Sequence, residues 1–497
     1  MRNYDTKRQH DKGKLHAMER IDALLDEGSF REVGTGITNI DTQLGLKGGT
    51  LPYDGVITGY GTIDGRRVCI YSQDFTVAGG TLGHNHGQKI ASIINMAVEY
   101  RCPLIGINDS GGARIQEGVA SLASYGDIFF ANTAASGCVP QISIIAGPCA
   151  GGAVYSPGIT DFIFMVNDIG NMFVTGPKVI KQVTNETVST EDLGGAKVHG
   201  TVSGVSHFTC PTEQDCYARV RRLLSYIPHS AGEKPDTPPA YIDQEALNVN
   251  FLVPKDPNKA YDVKVVIDAV FDEGSFLEIQ EDFAKNIVIG FAKLSGMTVG
   301  IIANQPTCKA GVLDCDSSDK AARFIRFCDC YDIPIVTLAD VPGFFPGSDQ
   351  ERKGIIRHGA KLLYAYSEAT TRKLTVIMRK AYGGAYIAMC SRHLRADYVY
   401  AWPTAQMAVM GGDGAIDILY GKQMKTMSDE EKAAFIAEKR EEYNTLYMNA
   451  DIGLANGYVD DILKPSETRK RLFEDLVMLS GKTNTCASYK KHGNIPL

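Results

Sequence analysis

The chain has 497 residues, 44% hydrophobic and 22% charged, with a formal net charge of −7. That length exceeds one ordinary core and implies more than one domain, and the acidic balance leaves no broad basic face for nucleic acid. Apolar runs such as "QISIIAG" are too short to cross a bilayer. The opening stretch "MRNYDTKRQHDKGKLHAMER" is charged and holds no apolar leader. Twelve cysteines form no C-x-x-C pair, which favours reduced thiols in a cytoplasm over a disulfide framework or zinc ribbon.

In chain order, the decamer "IDALLDEGSF" (21–30) comes first, an ordinary helix-to-turn sequence. A Gly-rich stretch and the strand-like "RRVCIYSQD" (66–74) follow, with "HNH" (84–86) as a loop. Ile90, Ile93, Ile94 and Ala97 then recur at helical spacing. Next come a buried strand, "CPLIGIND" (102–109), the loop "SGGAR" (110–114), a second helical stretch, the strand "PQISIIAG" (140–147) and the loop "PCAGGAVYSP" (148–157).

The decamer returns as "IDAVFDEGSF" (267–276), identical at eight of ten positions, and the same order follows it. "TVGIIANQP" (298–306) is the strand, and a helix capped at Ser317 or Ser318 carries Ala321, Phe324, Ile325 and Cys328 on one face. "IPIVTLAD" (333–340), "VPGFFPG" (341–347), "KLTVIMR" (373–379) and "KAYGGAYIA" (380–388) complete the copy. Lys89/Lys320, Pro103/Pro334 and Asp109/Asp340 are each 231 residues apart, and Gly151-Gly152 precedes Gly383-Gly384 by 232. Such constant register marks an internal duplication of a β-α-β-α unit. The stretch 228–262 is Pro- and charge-rich and lacks a strong period. The expected division is a first domain over 1–235, a linker over 236–254 and a second domain over 255–497.

In each half a buried strand ends in small residues and Gly-Gly, then Ala and an apolar segment able to start a helix. Such a loop offers backbone N–H groups at a positive helix end. The paired glycines serve either close helix–strand packing or an oxyanion hole, and their recurrence at one topological position in both halves favours the oxyanion hole. Other motifs fail. "GKT" (481–483) lacks the upstream glycine of a phosphate loop, and no G-x-S-x-G elbow occurs. "DCDSSD" (314–319) has Asp319 where a calcium loop needs glycine, so it reads as a helix cap. "HNH" suggests no third metal ligand nearby. Asp109 and Asp340 precede glycine turns, where aspartate commonly caps. Two backbone oxyanion holes without a nucleophile or metal would suit two enolate-like oxygens, with the proton acceptor supplied by substrate or cofactor.

The words "KGKLHAMERIDALLDEGSF", "GGTLGHNHGQKI", "DSGGARIQEGV", "GPCAGGAVYSP", "FVTGP", "SSDKAARFIRFCD", "DVPGFFPGSDQE", "GIIRHGAKLLYAY", "KAYGGAYIAM", "AWPTAQMAVMG" and "KKHGNIPL" run in order along the whole chain. In them the sequence resembles the carboxyltransferase family of biotin-dependent acyl-CoA enzymes. The resemblance implies an α/β fold of two homologous crotonase-like (ClpP/crotonase) domains. It implies carboxyl transfer between biotin and a short acyl-CoA, propionyl-CoA or methylmalonyl-CoA foremost, and decarboxylation in reverse.

By the same resemblance, the amides of Gly151 and Gly152 take the thioester oxygen, and those of Gly384 and Ala385 take the biotin ureido oxygen. Gly111, Gly112, Ala113, Ala150, Gly383, Tyr386 and Ile387 are the expected substrate- or biotin-binding positions around them, with no metal. Ile387 either packs in the core or lines the acyl pocket. His84 stands where many relatives carry Glu or Ser. No biotinyl "M-K-M" element is present, so the expected partners are a separate biotin carboxyl carrier protein and either a biotin carboxylase or a membrane decarboxylase subunit. A cytoplasmic homo-oligomer, a hexamer built as a trimer of dimers, is expected. The alternatives are the α subunit of a sodium-pumping methylmalonyl-CoA decarboxylase, a biotin-independent crotonase-type hydratase or isomerase, and a non-catalytic scaffold.

Overall fold

Strands such as Leu104–Ser110 and Ile335–Val341 are buried at every position, as strands of a parallel sheet covered on both faces must be. The computed structural model describes residues 6–42, 44–46, 49–233, 240–243, 249–482 and 492–497. It divides into two units, Met1–Glu233 and Lys234–Leu497. Residues 236–239 and 244–248 of the expected linker, and Lys490 and Lys491 of the terminal motif, lie outside the described residues.

The first unit holds β1 (Arg31–Val33), β2 (Val56–Ile63), β3 (Arg66–Gln73), β4 (Leu104–Ser110), β5 (Gln141–Ala150), β6 (Phe162–Val166), β7 (Asn171–Phe173) and β8 (Phe208–Cys210). Their order is β1-β2-β3-β4-β5-β6-β8, with β7 paired to β5. The pairings β1·β2 and β2·β3 are antiparallel and the rest parallel. The second unit holds β9 (Leu277–Ile279), β10 (Ile287–Leu294), β11 (Met297–Asn304), β12 (Ile335–Val341), β13 (Lys373–Tyr382), β14 (Tyr398–Ala401), β15 (Gln406–Ala408) and β16 (Asp461–Ile462). The order is the same, β9-β10-β11-β12-β13-β14-β16 with β15 on β13, and so are the strand directions. The duplication read from the sequence is thus a duplication of topology. The fold is α/β, two crotonase-like units in one chain.

Helices cover each sheet with the expected faces. In the first unit they include α1 (Ala17–Leu24), α2 (His84–Tyr100), α3 (Val119–Ala135) and α4 (Glu213–Leu224); in the second, α5 (Val263–Val270), α6 (Cys315–Cys330), α7 (Ile355–Glu368) and α8 (Gly383–Ala388). Ile90, Ile93, Ile94 and Ala97 of α2 are buried, as are Ala321, Phe324, Ile325 and Cys328 of α6.

Two expected boundaries move. "HNH" is not a loop but the first turn of α2. Gly83 offers no side-chain cap, and remote carboxylates do the capping: His84 N donates to Glu117 Oε2 (2.5 Å) and His86 N to Asp54 Oδ2 (2.7 Å). The α6 helix begins three residues before the expected serines' turn, at an Asp314 cap rather than one at Ser317 or Ser318. Asp314 Oδ1 accepts from Ser317 N (2.9 Å) while Asp314 N donates to Ser317 Oγ (2.8 Å), a reciprocal capping box.

The matched lysines have matched tasks. Lys89 Nζ donates to the carbonyls of Tyr53 and Val56. Lys320 Nζ donates to those of Gln280 (2.9 Å), Phe283 (2.8 Å) and Ile287 (2.9 Å). Each fastens the turn that enters the second strand of its sheet. Burial pushes the Lys320 ammonium down to about 7. The unfolded chain therefore binds this proton more tightly, and the lysine's contribution to stability grows as pH rises from about 7 towards its ordinary value. Lys320→Met, which leaves three buried carbonyls without their donor, should cost about 2–4 kcal/mol in chemical unfolding. The gap to wild type should widen with pH above neutrality; a gap that narrows would contradict this account.

Candidate active site

Both candidate loops grow out of the same irregularity. Strand β4 pairs with β5 up to Asn108↔Ile145, then resumes at Ser110↔Cys149, so β5 carries two extra residues opposite Asp109. Strand β12 pairs with β13 up to Ala339↔Ile377 and resumes at Val341↔Ala381, with the extra residues opposite Asp340. A bulge bends the strand that carries it. Beyond the bend, the upper part of β5 pairs with β7 and the upper part of β13 with β15.

Each bent strand ends in a left-handed glycine, Gly151 at φ 64° and Gly383 at φ 58°, a conformation that disfavours a side chain. The chain then turns directly into a helical turn, Gly151–Val154 in one unit and α8 in the other. The first N–H groups of such a turn have no intrahelical acceptor, and neither Ala150 nor Tyr382 at the cap position supplies a side chain to them. At Gly384 an added Cβ would meet nothing within 4 Å, and at Gly152 it would meet only the Tyr125 ring, at 3.3 Å. Both turns therefore lack a side-chain cap, and the space beside Gly384 is open.

Around the first turn, the "SGGAR" loop lies against β5: a Cβ on Gly112, whose φ is 100°, would come within 3.0 Å of the Ala150 carbonyl. Gly111 N donates to Gly79 O (3.0 Å), and Ala113 bridges to Leu82. Gly111, Gly112, Ala113, Ala150, Gly151 and Gly152 therefore form one local cluster. Arg114, the last residue of the motif, is fully buried and was not singled out by sequence reasoning. Its Nη1 donates to Asp54 Oδ1 (2.5 Å) and Glu117 Oε1 (2.7 Å), and its Nη2 to Thr81 O (2.7 Å), which pins the loop.

In the second unit Gly383, Gly384, Ala385, Tyr386 and Ile387 all lie in α8. Ile387 is 38% exposed. Burial pushes the Tyr386 phenol up to about 12, and its hydroxyl has no hydrogen-bond partner among the described residues.

Asp109 and Asp340 are not turn caps. Both are buried at strand ends and held by cations. Asp109 Oδ2 accepts from Arg20 Nη1 (2.9 Å) and lies 2.6 Å from Lys14 Nζ. Asp340 Oδ2 accepts from Arg379 Nε (3.0 Å) and Tyr261 OH (2.9 Å). These partners all lie 39 or more residues away in sequence, so no local pattern shows them. Cys149, two residues before Gly151, is fully buried, and burial pushes its thiol up to about 12, a poor nucleophile. The imidazole of His86 is likewise committed, to Gln73 Nε2 and the Asp54 carbonyl. The chemistry on offer is that of oriented backbone dipoles.

Residues 8–495 match the family described as "Carboxyl transferase domain". The chain is 54% identical over 493 residues to the propionyl-CoA carboxylase carboxyltransferase subunit of Haloferax mediterranei, covering 98% of this chain and 95% of that one. It is 52% identical over 492 residues to the methylmalonyl-CoA decarboxylase subunit alpha of Veillonella parvula, covering 99% and 94%. Among solved structures, the transcarboxylase 12S hexamer with methylmalonyl-coenzyme A and methylmalonic acid bound superposes with a TM-score of 0.95 at 47% identity, covering 99% and 94%. The fold, the paired amide turns and these matches place the chain in the carboxyl transferase family. It is an acyl-CoA carboxyltransferase.

Proposed function

We propose that this enzyme moves a carboxyl group between biotin and a short acyl-CoA, with propionyl-CoA and methylmalonyl-CoA as the pair. The observation that carries the reading is the uncapped amide turn at the same bulged-strand end of both units. In this proposal the unit with Gly151 serves the thioester and the unit with Gly384 serves biotin, domains we place at 1–235 and 255–497.

The amides of Gly151 and Gly152 hold the thioester oxygen and take up the charge that develops there as the α-carbon becomes nucleophilic. Amides fixed in place before the reaction stabilise such charge without reorganising. Those of Gly384 and Ala385 hold the ureido oxygen; the unfilled space at Gly384 leaves room for the ring. Biotin, when bound, supplies the carboxyl group and the proton acceptor. The chain's own part is therefore to bind, orient and stabilise charge, which fits a site whose nearby thiol and carboxylates are otherwise committed.

A carboxylase subunit and a decarboxylase subunit match this chain almost equally well, so we assign the net direction to the partner. We propose that biotin arrives on a separate carrier protein, and that a biotin carboxylase or a membrane decarboxylase subunit completes the system. We further propose a cytoplasmic hexamer, after the transcarboxylase 12S assembly. No helix among the described residues is long and apolar enough to cross a membrane.

Two variants test the reading. Gly384→Val keeps the N–H but fills the space beside it; the variant should fold, bind acyl-CoA and lose ~100–1000-fold in free-biotin-dependent carboxyl exchange, as much as losing one oxyanion donor. Near-wild-type exchange in the assembled variant would remove the biotin assignment. Ile387→Asp should alter the ratio of acetyl-CoA to propionyl-CoA kcat/KM more than it alters total exchange, since one methylene in an apolar pocket is worth ~10–200-fold. Equal falls for both thioesters would show that Ile387 does not line the acyl pocket.

A further inference from the structure

The two bulges hold the same carboxylate with cations drawn from different places, and the differences compensate. At the offset of 232 that pairs Gly151 with Gly383, Gly147 corresponds to Arg379 and Pro148 to Lys380. At the offset of 246 that pairs the decamers, Arg20 corresponds to Val266. In the second unit the cation sits within the bulge: Arg379 Nε donates to Asp340 Oδ2 (3.0 Å), and the backbone N–H of Lys380 donates to Asp340 Oδ1 (3.1 Å). Val266 is a fully buried apolar residue of α5.

The first unit inverts this. Gly147 has no side chain, and a Cβ there would overlap the Asp109 carboxylate. Pro148 has no N–H to give, and Asp109 Oδ1 is left buried with no hydrogen-bond partner among the described residues. Two cations arrive instead from the N-terminal segment: Lys14, just before α1, lies 2.6 Å from Asp109 Oδ2, and Arg20 comes from α1 itself. Arg20 reaches Asp109 Oδ2 (2.9 Å) through Nη1 and the bulge carbonyl of Ala146 (2.7 Å) through Nη2, while Nε is held by Glu213 of α4 (2.8 Å). Tyr217 OH donates to the same Glu213 oxygen (2.8 Å).

We propose that Arg20 is the positioning residue of the Gly151–Gly152 amide pair, doing from α1 what Arg379 does from within β13 for the Gly384–Ala385 pair. One guanidinium ties the Asp109 carboxylate and the Ala146 carbonyl together, and so sets the angle at which β5 leaves the bulge, five residues before Gly151. A lysine could keep the ion pair but not span both acceptors and Glu213 in one plane. The inference rests on the reading that these amides take the thioester oxygen. It adds that each amide pair has its own guanidinium, so the two can be disturbed separately.

The test is infrared difference spectroscopy of [1-13C]propionyl-CoA bound to the full assembled enzyme. The amides should hold the thioester C=O stretch below its frequency in solution. Arg20→Lys should return the stretch towards the free value and lower kcat on the order of 100-fold, the effect of a misplacement near 1 Å. Arg379→Lys should leave the stretch at its wild-type position. Gly147→Ala, which crowds Asp109 from the opposite side, should reproduce the Arg20→Lys shift and serves if that variant does not assemble. A Gly152→Val reference separates the two ways of failing. If Gly152→Val moves the stretch and neither Arg20→Lys nor Gly147→Ala does, the positioning role is overturned while the thioester assignment stands. If Gly152→Val leaves it in place as well, the thioester assignment falls and takes this inference with it.

Discussion

A carboxylate buried at the end of a central strand decides where each sheet breaks register. Asp109 and Asp340 occupy that place, and each lies opposite the two extra residues that bend the neighbouring strand. A buried carboxylate left alone is strongly unfavourable, and removing the partner of a buried ion pair typically costs about 3–5 kcal/mol. The guanidinium partners are therefore obligatory, and their geometry becomes the geometry of the bulge. Everything downstream follows: the bend, the pairing with β7 or β15, the left-handed glycine and the amide turn. Such pairs add little net stability against an apolar replacement; what they provide here is a fixed position.

Much of this was legible in the sequence because a duplication supplies its own control. The offsets identified the matching strands, the helix faces and the glycine turns, and both sheets have the same strand order. Short-range patterns failed where the partner is remote. The start of α2 depends on carboxylates at Asp54 and Glu117, 32 and 33 residues from the amides they accept from, so "HNH" looked like a loop. Asp109 and Asp340 looked like turn caps because their cations lie 89 and 39 residues away. In "DCDSSD" several residues could cap, and Asp314 prevails because Ser317 returns the hydrogen bond. Ile387 follows the apolar pattern of a core residue, yet it is 38% exposed on the short α8.

Backbone dipoles suit a reaction that runs in both directions. An oxyanion site built of amides carries no proton of its own to give or take, so it favours neither carboxylation nor decarboxylation. Relatives named as a propionyl-CoA carboxylase subunit and as a methylmalonyl-CoA decarboxylase subunit share about half their residues with this chain. The proposed charge-stabilising scaffold, with direction assigned to the partner, would account for both. The two units have also diverged around this frame: the carboxylate and the turn persist, while the guanidinium has moved from strand to helix.

The central claim is that N–H groups, rather than side chains, do the work at each turn. Replacing Ala385 by lactic acid exchanges a single N–H for an ester oxygen and leaves the side chain unchanged. Free-biotin-dependent carboxyl exchange should then fall ~100–1000-fold, as for the loss of one oxyanion donor, with acyl-CoA affinity unaltered. An ester-substituted enzyme that exchanges carboxyl groups at the wild-type rate would contradict the account.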